Sequence, residues 1–171
     1  MNKTDTLPPL PIIIILDKPR AIRFTMRGIY DIEQIYGNMR SMLDAYFSAT
    51  PETALNATID VLSVLLRLDK GYIYKHITEK ALMDIRAKIP ACITACFADA
   101  REGTSEGAYK DPYEPYDWDE LYYIARYKLK MTDKEFWDTT PRRFDKLYYL
   151  WLADNGIIKK EPKIYTGEIN Y

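Results

Sequence analysis

The sequence predicts a mainly α-helical protein with a small β-hairpin near its start (α+β): a helical N-terminal domain followed by a small three-helix C-terminal unit. Three observations carry this expectation. Two short runs at the N-terminal end have the β-branched or alternating character of strands. From Ile29 onward apolar residues recur at steps of three and four, between recognisable helix start and stop signals. Residues 103–116 hold two glycines, two prolines and almost no aliphatic side chain, the composition of a linker.

Each element follows from local chemistry. Residues 1–10 are polar and then proline-rich, and read as a flexible arm ahead of an N-terminal module over 11–102. Ile12 to Leu16 is continuous and β-branched, as in a strand buried on both faces or covered at an edge. Asp17-Lys18-Pro19 interrupts it, and Ala21 to Met26 then alternates, with Ile22, Phe24 and Met26 on one face. Two strands alone are marginal, so helices must pack on them.

A helix through Ile29, Ile32 and Ile35 should end at Gly37, and Asn38 should cap a short helix carrying Met39, Met42, Leu43, Tyr46 and Phe47. Thr50-Pro51-Glu52 is a start signal for a helix with Leu55, Ile59, Leu62 and Leu66 in one stripe, Gly71 lying just past its end. Tyr72 to His76 reads as loop. Thr78 opens another helix, which Pro90 should kink or restart.

Beyond the linker, residues 117–156 contain Asp117-x-x-Glu120 and Thr132-x-x-Glu135, both capping-box patterns, and Thr140-Pro141, a capped proline start. The first of these helices puts Trp118, Leu121, Tyr122, Ala125 and Leu129 on one face, and the last aligns Phe144, Leu147, Tyr148 and Trp151. Residues 157–171 read as a flexible tail.

Composition bounds the function. The 171 residues carry 24 basic and 25 acidic side chains, a net charge of -1, which gives no long-range field for nucleic acid or an anionic membrane. The longest apolar run near the start is too short to span a bilayer and lacks a signal-peptide leader, so a cytoplasmic location is expected. Cys92 and Cys96 stand four apart on one helix face, and reduced, core-facing thiols are expected there.

A single histidine, His76, leaves no Ser-His-Asp or Cys-His set to assemble. No Walker or dinucleotide fingerprint and no clustered metal ligands occur, so neither an enzyme, nor a cofactor, nor a small-molecule substrate is expected. The C-terminal helices could imitate a helix-turn-helix, but 117–155 holds eight acids against seven bases, which is not a DNA footprint.

What stands out is aromatic density. Trp118, Tyr122, Tyr123, Tyr127, Phe136, Trp137, Phe144, Tyr148, Tyr149 and Trp151 crowd three short helices. One stripe per helix must form their core, which leaves a surplus to face outward beside arginines. Tyr, Trp and Arg are the usual anchors of protein interfaces. Tyr123, Arg126, Tyr127, Trp137, Arg142, Arg143 and Tyr149 are therefore the candidate protein-binding residues.

Two segments resemble the tail assembly chaperones of long-tailed bacteriophages and prophages. The first runs Arg23-Phe24-Thr25-Met26-Arg27-Gly28-Ile29-Tyr30-Asp31-Ile32-Glu33-Gln34-Ile35-Tyr36-Gly37, similar to that family's strand ending in Phe-Thr and its helix with an acidic centre, although Ile32 stands where leucine is usual. The second joins Asp117 to Arg126 with Leu129-Lys130-Met131-Thr132-Asp133-Lys134-Glu135-Phe136-Trp137 and Thr140-Pro141-Arg142, similar to the family's Trp-led distal module. The resemblance implies a protein that coats the tape measure protein through 11–102 and recruits tail tube protein through 117–156. Such a protein acts in the bacterial host cytoplasm and is absent from the mature virion. Self-association stays open. One continuous chain holding both modules departs from the frameshifted pair common in that family. A small DNA-binding or packaging-related phage protein and a structural head-tail component are the alternatives.

Overall fold

A computed structural model describes residues 10–97 and 114–158. Residues 1–9, 98–113 and 159–171 lie outside the described residues, and with them most of the arm (1–10), of the linker (103–116) and of the tail (157–171) expected from the sequence, together with the end of the N-terminal module. Two antiparallel strands, β1 (Ile12–Ile15) and β2 (Pro19–Ile22), pair Ile12 with Ile22 and Ile14 with Arg20. Eight α-helices follow among the described residues, as the mainly α class requires. None of them is long and apolar enough to cross a membrane.

The hairpin is shorter than expected. Alternation does bury Ile14, Leu16, Ile22, Phe24 and Met26, but β2 ends at Ile22. Thr25 leaves the strand to cap α1 (Met26–Tyr36), its Oγ1 accepting from Gly28 N at 3.2 Å. Nor is β1 covered on both faces. Ile13 and Ile15 are 47% and 49% exposed, because the long helix Glu79–Phe97 packs behind the other face. Tyr72 Oη donates to Asp17 Oδ2 at 2.9 Å and Arg20 donates to the same carboxylate, which ties the hairpin turn to a later helix.

Helix α1 ends where glycine allows it, at Gly37 with φ 80°, whose N–H donates to Glu33 O at 2.8 Å. Asn38 caps α2 (Met39–Tyr46) by accepting from Ser41 N at 2.7 Å. Ile35 and Phe47, assigned to core stripes by spacing, are exposed. Helix α3 (Pro51–Leu66) starts at its proline as expected, but the Thr50 side chain makes no capping bond. It ends on Arg67 in the left-handed region, φ 53°, not at Gly71. Gly71 lies inside an unexpected helix, α4 (Lys70–His76), which Asp69 caps by accepting from Tyr72 N at 3.1 Å. Its single turns carry too few apolar residues to show a period.

Pro90 does not break α5 (Glu79–Phe97), which runs through it. A proline removes the N–H that should bond the carbonyl four residues back, here Arg86 O. That carbonyl accepts instead from Tyr46 Oη at 2.8 Å, while Arg86 Nη2 returns a bond to Tyr46 O at 3.1 Å. Burial of Tyr46 pushes its phenol up to about 12, so it stays a donor. Tyr46→Phe is therefore expected to cost about 1–2 kcal/mol by stranding Arg86 O, with the cost largely absent in a Pro90→Ala background. Urea denaturation of the four proteins of that cycle checks it.

Cys92 and Cys96 are free and buried, and Cys92 Sγ lies 3.6 Å from Ile22 O. A hydrogen bond with Cys96, then burial, holds the Cys92 thiol well above its ordinary value.

The C-terminal unit comprises α6 (Trp118–Tyr123), a π-helical turn (Ile124–Lys128), α7 (Asp133–Asp138) and α8 (Pro141–Asp154). Asp117 and Thr140 cap α6 and α8, and Thr132 with Glu135 closes a reciprocal capping box on α7. Its core of Ile124, Ala125, Met131, Phe136 and Phe144 also takes in Met26 from α1. The main core gathers the hairpin and α1–α5 around Ile14, Phe24, Ile29, Tyr46, Leu62 and Ile85.

Candidate interaction surface

Where α6 gives way to the π turn, Leu129 N donates to Ile124 O at 3.0 Å and Met131 N to Ala125 O at 2.9 Å. Lys130, at φ 56°, completes the reversal. Such widened turns recur at functional positions because they displace side chains from regular helical register. Here the turn carries Arg126 and Tyr127 outward beside Tyr123. The Tyr123 and Tyr127 rings stack with centroids 4.8 Å apart and are 53% and 66% exposed.

Neighbouring bonds hold this face in shape. Arg126 Nη1 donates to Met131 O at 2.7 Å and pairs with Asp133 at 3.2 Å. Tyr122 Oη donates to Asp133 Oδ1 at 2.7 Å, so one carboxylate ties the end of α6 to the start of α7, and this bond raises the Tyr122 phenol above its ordinary value. A guanidinium with two fixed bonds and a preassembled ring pair lose little entropy on meeting a partner.

The other candidates lie elsewhere. Trp137 is half-buried and faces α1. It packs on Tyr30 at 5.6 Å, on Trp118 at 6.0 Å and on Phe136 at 4.8 Å, and the Arg27 guanidinium lies 5.3 Å from its ring centre. Arg142 and Arg143 are half-buried in the first turn of α8, and Arg143 N donates to Thr140 Oγ1 at 3.4 Å. Tyr149 is half-buried with Lys146 Nζ 5.7 Å from its ring centre, and both Arg142 and Tyr149 have further partners. The structure thus brings Tyr123, Arg126 and Tyr127 together, turns Trp137 toward α1, and carries Arg142, Arg143 and Tyr149 on α8.

Sequence reasoning passed over the residues that join the two cores. Glu33 is only 6% exposed, and its carboxylate accepts from Trp118 Nε1 at 2.7 Å and from Tyr116 N at 3.3 Å. Burial raises its pKa, against the two bonds. Met26 N donates to Thr139 O at 2.8 Å, and Tyr30 meets Trp118 edge-on at 5.3 Å. A signal for Glu33 did exist: an acid four residues after Ile29, within an apolar stripe. Of the rings surplus to three short helices, Trp137 is spent on this seam, while Tyr123 and Tyr127 stay exposed.

His76 Nδ1 lies 2.8 Å from Tyr72 O and its ring sits against Tyr72 at 4.1 Å, an arrangement that steadies the end of α4. Among the described residues no group of three or more His, Cys, Asp or Glu side chains is placed to hold a metal ion. Comparison of the chain with protein-family models, with curated proteins and with solved structures finds no match.

Proposed function

We propose that this chain is a tail assembly chaperone of a long-tailed bacteriophage or prophage, which binds the tape measure protein and recruits tail tube subunits. It acts by reversible burial of surface, without a catalytic step, in the host cytoplasm, and leaves before the virion is complete. The resemblance of 23–37 and 117–142 to that family motivates the reading. The observation that carries it is the exposed Tyr123–Tyr127 stack beside Arg126, on the distal helices that the reading assigns to tube protein.

Rigid, half-polar rings of this kind give large contact area at small entropic cost. The exposed Ile13 and Ile15 of β1 offer a separate apolar strip for a long helical partner. Two weak sites on one chain would raise the local concentration of tube subunits near the tape measure.

The test is co-expression of the full chain with the tape measure protein and the tube protein encoded beside it. Both should co-purify with the parent. The double variant Tyr123→Ser, Tyr127→Ser should lose tube protein about tenfold or more, keep the tape measure protein, and unfold within about 0.5 kcal/mol of the parent. Failure of the parent to retain either protein, or full retention of tube protein by the variant, defeats the reading.

A further inference from the structure

Between the exit of β2, the first turns of α1, the end of α3 and the end of α7 lies a groove of two adjoining cavities, about 480 and 580 Å³. Four cations line it, Arg23, Arg27, Arg67 and Lys134, against two carboxylates, Asp31 and Asp138. Two of the cations are already paired, Arg27 with Asp31 at 3.3 Å and Lys134 with Asp138. Among the described residues Arg23 and Arg67 have no ion-pair partner, and Arg23 Nε is buried with no hydrogen-bond partner at all. A buried guanidinium N–H without an acceptor is costly, and a guanidinium fork matches a carboxylate in particular.

We propose that this groove binds an acidic peptide segment of another protein, with carboxylates seated on Arg23 and Arg67. The lining selects a peptide over other anions. Val64 and Leu65 form an apolar wall on one cavity, and the Trp137 ring lines the other, so apolar side chains between the acids have somewhere to go. Asp31 and Asp138 can accept peptide N–H groups, donors that the sugar-phosphate backbone of a nucleic acid does not offer. The groove also exceeds what a single inorganic ion fills. Its lining comes from both the N-terminal helices and α7, so the site exists only while the two cores stay docked. This inference stands apart from the tail-assembly reading and does not use the Tyr123–Tyr127 face.

Fluorescence anisotropy of a labelled peptide alternating Glu and Leu, titrated at low salt with the full chain, tests it. The parent should bind, and the same peptide with Lys for Glu should not. Arg67→Gln should weaken binding about tenfold, because one charge-assisted contact of this kind is worth that factor. Arg67 is exposed, so this variant should melt as the parent does. Arg23→Gln should weaken binding similarly, and Arg23→Lys, which keeps the charge but not the fork, should fall between. Tyr123→Ser should bind as the parent does, which separates this site from the tube-protein face. Equal binding by the parent and Arg67→Gln, or equal binding of the Lys peptide, overturns the proposal. So does displacement of the peptide by inorganic phosphate or single-stranded DNA at matched charge, which would mark a general anion groove.

Discussion

Replacing Glu33 with alanine, at the seam between the two cores, is expected to cost about 3 kcal/mol of folding stability. The carboxylate accepts from Trp118 Nε1 at 2.7 Å and Tyr116 N at 3.3 Å, and its removal leaves both half-buried donors without that acceptor. Each orphaned buried donor costs about 1–3 kcal/mol. Burial raises the Glu33 pKa, so the ionised form is itself held at some expense. That does not rescue the alanine variant, because removing one partner of a buried polar set is worse than never having built it. Glu33→Gln keeps one acceptor oxygen but turns an NH₂ toward a donor, and should lose about half as much. Gln34→Ala, one position round on the exposed face, should stay within about 0.5 kcal/mol of the parent. Urea denaturation followed by tryptophan emission reads all three. A Glu33→Ala midpoint equal to the parent's would show that this carboxylate does not join the cores.

Asp145 should make the protein less stable as pH rises through the weakly acid range, by about 2–3 kcal/mol in total. Burial in α8 lifts its carboxyl from the ordinary 3.8 to about 6. Because the folded-state pKa is the higher one, the folded chain holds an extra proton between those values. The stabilising contribution is complete below about pH 4, is lost as pH climbs through 6, and stays lost above it. Other carboxylates act in the opposite sense. Asp17, hydrogen-bonded by Arg20, and Glu135, bonded by Thr132, are both held below their ordinary values and stabilise the fold more as pH rises. The difference between parent and Asp145→Asn isolates the one group. The two proteins should be about equal near pH 4, and the variant more stable at pH 7.5. Parallel stability curves across that range would show that Asp145 is solvated.

Local chemistry made much of the fold readable. Asn38, Asp117, Thr132 and Thr140 cap helices because each side-chain oxygen reaches a backbone N–H a few residues ahead, and Gly37 ends α1 because only glycine enters φ 80° without strain. Interactions across long stretches of chain were not readable. The continuity of α5 depends on Tyr46, some forty residues earlier, supplying the donor that Pro90 lacks. Helix α4 depends on Asp69 as its cap and on Tyr72 reaching back to Asp17. At the candidate surface, residue type pointed to Tyr123, Arg126 and Tyr127, which do share one exposed face. It could not separate them from Trp137, whose ring faces Tyr30 on a helix more than a hundred residues away. Aromatic composition alone does not distinguish a ring packed against a neighbouring core from one left to solvent.

The shared seam means that a shortened product would differ from the full chain in more than length. A polypeptide stopping before residue 114 would lack Tyr116, Trp118 and Thr139, and so would open Met26, Tyr30 and Glu33 to water. It would gain a greasy patch with an ionisable group at its centre, a docking area that the longer polypeptide keeps filled by its own distal helices. Two translation products from one reading frame would then offer different faces to the same partners.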